Sequence, residues 1–101
     1  MERESLDRTL AALRTHESEL KAAGVRSLRI FGSVARNEAG PDSDVDLEAV
    51  FEDLSRMTLF DVVRIERQLS EILDRRVDLV RRGTLKGEIA AAVESEAVLA
   101  F

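Results

Sequence analysis

The chain has no cysteine, which excludes disulfides and thiolate chemistry, and a single histidine, His16. A bound metal would therefore be held by oxygen ligands or by that one imidazole, and oxygen ligands suit hard cations such as Mg²⁺. Tryptophan and tyrosine are also missing, so there is no obvious platform on which single-stranded bases would stack. Positive charge is in deficit. Fifteen Lys and Arg against 20 Asp and Glu give a formal charge of −5, the opposite of the basic excess an extended nucleic-acid footprint requires. No apolar run approaches bilayer-spanning length, and the stretch Met1 to Arg14 is charged throughout, unlike a signal peptide. A cytoplasmic protein without a membrane partner is expected. The 101 residues suffice for one compact domain, spanning 1–101, but not for a catalytic domain plus a separate substrate-holding one.

What is present is an alternation of helices and strands without repeats, linkers or low-complexity tracts. Leu6, Leu10, Leu13 and Leu20 recur at helical spacing, predicting a first helix that runs to about Ala23 and is stopped by Gly24. Leu28 and Ile30 alternate with Arg29 and Phe31 as in a strand ending at Gly32-Ser33, and a short helical turn follows through Val34 to Glu38. Gly40-Pro41-Asp42-Ser43 signals a turn, and Val45 to Phe51 a second strand. Thr58 with Asp61 resembles a capping box, opening a helix whose stripe is Val62, Ile65, Leu69, Ile72 and Leu73 and which ends near Asp74. Val77, Leu79 and Val80 form a short strand, Gly83-Thr84 turns the chain, and a last helix with Ile89 and Val93 leads to an edge strand in the tail Ala97 to Phe101. The fold class expected is α/β in the broad α+β sense, a mixed sheet packed by helices.

The chemistry concentrates in acidic residues. Asp44 and Asp46 stand two apart at the start of a strand, so both carboxylates point to one face. Two like charges repel there, and a divalent cation is the simplest compensating partner. Asp78, framed by Val77 and Leu79, projects from the polar side of its own strand and could join them. Such a cluster can hold two Mg²⁺ ions for in-line phosphoryl transfer. Gly32-Ser33 offers a cradle for phosphate where strand gives way to helical turn, and Arg36 lies one turn on for a charge-assisted contact.

These residues carry a resemblance. Gly32-Ser33, ten intervening residues, then Asp44-Val45-Asp46-Leu47 resembles the signature of the DNA polymerase beta nucleotidyltransferase superfamily. Phe31-Gly32-Ser33-Val34-Ala35-Arg36, Ser43-Asp44-Val45-Asp46-Leu47 and Arg76-Val77-Asp78-Leu79-Val80 are similar to the minimal nucleotidyltransferase family within it, over nearly the whole chain. The resemblance implies a nucleotidyltransferase fold with metal ions on Asp44, Asp46 and Asp78. It implies that Asp78 also helps to activate the attacking hydroxyl and that Gly32 and Ser33 bind the triphosphate, ATP being the expected substrate. Members of that family are often paired with HEPN-domain ribonuclease toxins, and some act as antitoxins by transferring AMP to a tyrosine of the toxin. A HEPN-type toxin as acceptor is therefore implied. In agreement, the catalytic elements nearly use up the chain, so an acceptor would come from a partner protein.

Two positions depart from the family pattern. Asn37 stands where glycine is usual, and Asn tolerates left-handed backbone better than most residues. Glu48 replaces an apolar residue on the parity of Asp46 and could lie at the site's rim, face a partner or meet solvent. Lys86, after Leu85, could touch the triphosphate or simply be exposed, as His16 should be; Arg75, Arg76, Arg81 and Arg82 read as a solvated rim around Asp78. One rival pattern exists: Asp42, Asp44, Asp46 and Asp53 fall at positions 1, 3, 5 and 12 of a calcium-binding EF-hand loop, although Leu47 stands where that loop needs glycine. A different functional class is also open: an antitoxin that masks its partner by contact alone, without catalysis.

Overall fold

The computed structural model describes residues 4–101, with side chains from Leu6 onward. The first leucine stripe folds as a helix but is interrupted. Helix α1 (Glu4–Thr15) and helix α2 (Glu17–Ala22) meet at His16, where one continuous helix was expected. Thr15 Oγ1 donates to the Ala11 carbonyl at 2.8 Å, and the His16 N–H is shared between the carbonyls of Ala12 and Leu13, both at 3.2 Å. A hydroxyl bonded back onto its own turn and a forked amide loosen the ladder and let the helix break there. Leu13 and Leu20, one on each piece, are still fully buried, so the stripe stays continuous across the break. His16 is half-buried and pairs with Glu19, Nδ1 to Oε1 at 2.7 Å.

Strand β1 (Val25–Phe31) follows, then the single turn of helix α3 (Gly32–Ala35) and strand β2 (Val45–Phe51). A short 3-10 turn at Leu54–Arg56 leads into helix α4 (Leu59–Leu73). Its capping box forms as the sequence predicted: Thr58 Oγ1 accepts from the Asp61 N–H, and the Asp61 carboxylate accepts from the Thr58 N–H. Strand β3 (Val77–Arg81), helix α5 (Gly87–Glu96) and strand β4 (Val98–Leu99) complete the described chain.

The four strands lie in the order β3-β2-β1-β4, antiparallel except for the β2/β3 pair, whose parallel connection is made by α4. This is the mixed, helix-packed sheet expected. The tail forms the edge strand, tied further by Arg14, whose Nε donates to the Ala100 carbonyl at 2.9 Å. On one face, Leu28 and Ile30 of β1 and Val45, Leu47, Ala49 and Phe51 of β2 pack against Leu13, Leu20, Ile65 and Leu69 of the helices. Period-two alternation then forces Arg29, Phe31, Asp46 and Glu48 to the opposite face. Burying the first set thus sets the second. Among the described residues no helix is long and apolar enough to cross a membrane.

Candidate active site

Asp46 occupies the second position of β2, with Phe31 as its register partner on β1 and Asp78 as its partner on β3. Parallel pairing therefore brings residues 32 apart in sequence side by side on the polar face. Asp44, just before the strand, is 49% exposed and its Oδ1 lies 3.2 Å from Nε of Arg76. Burial first, and then the charges of Asp78 and Asp44, push the Asp46 carboxyl above the ordinary carboxylate range, opposed by Arg36. As the side chains stand, no three His, Asp or Glu groups among the described residues converge closely enough to hold an ion together. Asp46 and Asp78 form the pair, while Asp44 is turned toward Arg76. The set nevertheless fits a hard divalent cation: every donor is a carboxylate oxygen, and the mutual repulsion acting on Asp46 is what such an ion would relieve.

Gly32 closes the site from the β1 side. Its φ of +75° places it in the left-handed region, and a Cβ there would overlap Oδ2 of Asp46 and lie 3.0 Å from its Cγ. Only glycine allows this turn to approach the aspartate so closely. Ser33 follows, its hydroxyl making no hydrogen bond among the described residues, and Arg36 lies at the C-cap of α3. Arg36 is held by two carboxylates: Nε donates to Glu38 at 2.9 Å, and Nη1 donates to both oxygens of Glu96 at 3.0 and 3.1 Å. Glu96 also accepts the Gly32 N–H at 2.7 Å. On the far side of the aspartates an open groove of about 440 Å³ is lined by Asp44, Asp78, Val63, Glu66, Arg67 and Arg76, among others.

Of the residues singled out in the sequence, Gly32, Arg36, Asp44, Asp46 and Asp78 are brought together through direct contacts, register or mutual electrostatics, with Ser33 beside Gly32. Lys86 is not. It is exposed at the N-cap of α5 and makes no hydrogen bond or ion pair with them. The EF-hand alternative fails because Val45–Phe51 is a strand, which separates Asp46 from Asp53 instead of folding them into one loop. Arg75, expected on a solvated rim, is half-buried and donates to the carbonyls of Gly40 at 3.0 Å and Ser43 at 2.6 Å, clamping the loop that delivers Asp44. Glu96 was not foreseen. Its partners are 64 and 60 residues away, and no local pattern signals the contact.

With this geometry in place, a model of the nucleotidyltransferase domain matches residues 13–100. The chain belongs to the nucleotidyltransferase family. It is 39% identical over 95 residues to the protein adenylyltransferase MntA of Thermococcus cleftensis, covering 93% of this chain and 94% of that one. A solved structure of a proposed minimal nucleotidyltransferase is 38% identical, with a TM-score of 0.72 over 97% of this chain and 95% of that one. The fold alone is shared with the MNT antitoxin in complex with tri-AMPylated HEPN toxin of Shewanella oneidensis, at 17% identity and a TM-score of 0.58 over 100% of this chain and 72% of that one. The protein is thus an enzyme, a nucleotidyltransferase similar to a protein adenylyltransferase.

Both departures from the family pattern now have structural explanations. Asn37 adopts φ of +60°, the left-handed conformation that the usual glycine would supply. Glu48 lies neither at an exposed rim nor in bulk solvent: it is buried, 6% exposed, and bonded to Arg29, whose Nε donates to its Oε1 at 2.7 Å. Arg29 also reaches Glu94 of α5, Nη2 to Oε2 at 2.8 Å. The pair satisfies a carboxylate that would otherwise be buried without a partner, two residues along β2 from Asp46.

Proposed function

We propose that the chain transfers AMP from ATP to a hydroxyl of a partner protein, a tyrosine of a HEPN-type toxin, and thereby acts as its antitoxin. The observation that carries this reading is the placement of the Asp46–Asp78 pair between an anion-binding turn at Gly32 and Arg36 and an open groove beside α4 and β3. Nucleotide phosphates and acceptor thus have separate approaches to one acidic centre. Leu59 and Phe60, 76% and 80% exposed, stand on the first turn of α4, and half-exposed Val63 lines the groove. An apolar surface beside a site suits a protein acceptor better than a small polar one. The adenylyltransferase relatives and the AMPylated toxin of the Shewanella complex support the same assignment.

In this mechanism Asp44, Asp46 and Asp78 would hold Mg²⁺, Asp44 leaving Arg76 to join the other two. The bound metal supplies charge neutralisation at the triphosphate and lowers the barrier to hydroxyl attack. Gly32, Ser33 and Arg36 bind and orient the β- and γ-phosphates. Asp78, exposed beside the groove, takes the proton of the acceptor hydroxyl. The hydroxyl oxygen bonds to the α-phosphorus, the bond from that phosphorus to the bridging oxygen breaks, and pyrophosphate leaves. Arg75 keeps the loop before Asp44 in place.

The test is intact-mass analysis of the captured partner after incubation with Mg-ATP, beside Asp44→Asn and Asp46→Asn. A nucleotide-sized gain on the partner, absent with both variants while they remain folded, is expected. A stable complex that gains no mass with any nucleoside triphosphate would replace this reading with the contact-only antitoxin.

A further inference from the structure

Glu96, the last residue of α5, places a carboxylate on the turn assigned above to the triphosphate. It accepts the Gly32 N–H at 2.7 Å and holds Nη1 of Arg36 through both oxygens, and it is only 20% exposed. Glu38 takes Nε of the same guanidinium. The Arg36 guanidinium therefore faces two carboxylates, so an incoming phosphate meets the negative charge of both. The Gly32 N–H and the Nε and Nη1 of Arg36, donors a phosphate would use, are already engaged. Glu96 also lies close enough to Asp46 that its charge disfavours ionisation there. We infer that Glu96 is an internal competitor of the nucleotide, a carboxylate that occupies the phosphate turn of the free enzyme and is displaced from Gly32 and Arg36 when a triphosphate binds.

This rests on the reading of Gly32, Ser33 and Arg36 as the triphosphate turn. Nucleotide affinity is then set by an exchange, carboxylate out and phosphate in, so weakening the carboxylate tightens binding. Glu96→Gln keeps an oxygen for the Gly32 N–H but removes the charge that neutralises Arg36. Because Arg36 is 44% exposed, the ion pair is partly screened, and an affinity gain of about 2- to 5-fold is expected. Glu94→Gln is the control. It removes the same charge two residues away, where the partners are Arg29 and Arg82 instead of the turn.

The measurement is titration of wild type, Glu96→Gln and Glu94→Gln with the magnesium complex of α,β-methylene-ATP, a nucleotide that cannot be turned over. Tighter binding by Glu96→Gln alone supports the inference. Unchanged or weaker binding, or equal tightening by both variants, overturns it. Absence of binding by wild type to this analogue and to tripolyphosphate would instead remove the triphosphate turn itself, and the inference with it. A second readout needs no variant: displacement predicts that saturating tripolyphosphate shifts the Gly32 amide resonance of the wild type, and an unmoved resonance overturns the exchange.

Discussion

The replacement Gly32→Ala tests the closeness of turn and aspartate most directly. A left-handed alanine costs about 1–2 kcal/mol of backbone strain. At roughly 4–8 °C per kcal/mol for a domain of this size, the melting midpoint should fall by roughly 4–16 °C. The added Cβ also overlaps Oδ2 of Asp46 and comes within 3.0 Å of its Cγ and 3.3 Å of its Cβ. Turning the Asp46 side chain about its Cα–Cβ bond relieves the first two contacts only by moving the carboxylate from its present place, and the third remains, since that Cβ is fixed to β2. Either the aspartate turns or the turn and strand part by a few tenths of an ångström. A misplacement on the order of 1 Å at a reacting centre costs about 10²-fold in rate, the loss of transfer expected here. Gly83→Ala separates the two effects. Gly83 has φ of +91° but no atom within 4 Å of where a Cβ would sit, so it should show the strain in a thermal melt while transfer stays near wild type. Equal activity of the two variants would refute the argument that the glycine exists to let Asp46 approach.

Three further outcomes follow from the site and its supports. Because the folded Asp46 pKa is raised by burial and by Asp78 and Asp44, its charge costs stability at neutral pH, a cost that disappears as pH falls below the ordinary carboxylate value. In chelator at about pH 7, Asp46→Asn should melt above wild type, and the gap should close toward about pH 3; a gap independent of pH would rule out the electrostatic cause. Glu48→Ala leaves Arg29, 13% exposed, without its buried partner and should cost about 3 kcal/mol in chemical denaturation. The double replacement Arg29→Met with Glu48→Leu should recover most of that loss, and failure to recover would mean the pair is not the cause. Arg75→Gln releases the Gly40 and Ser43 carbonyls and should lower transfer more than a melt shift alone explains. Activity that simply tracks the folded fraction would reduce Arg75 to a structural role.

Much of the fold was readable because the signals are local and agree with one another. The Thr58–Asp61 box, the period-two runs of β1 and β2 and the stripe Ile65–Leu69 each need only a few neighbouring residues to declare themselves. The break at His16 escaped because a continuous leucine stripe is compatible with both a straight and an interrupted helix, and the interruption arises from hydrogen bonds among Ala11, Ala12, Leu13 and Thr15. Glu48 and Arg75 were misplaced for a related reason. A lone charged residue is on average exposed, and only its partner, 19 residues away for Glu48 and more than 30 for Arg75, reverses that expectation.

By itself, the sequence determined the parity of the site. Once the apolar residues of β2 are buried, Asp46 and Glu48 must face the other way, because side-chain direction in a strand has a period of two. It also determined the family, through residues spaced along one chain. Only the tertiary structure decided which strand lies beside β2, and hence that Asp78 is the neighbour of Asp46. It alone decided that Glu48 is buried with Arg29 and that Glu96 reaches from the end of α5 to the glycine turn. Those contacts depend on strand order and helix docking, which are set by packing the whole core at once and have no signature in any single segment.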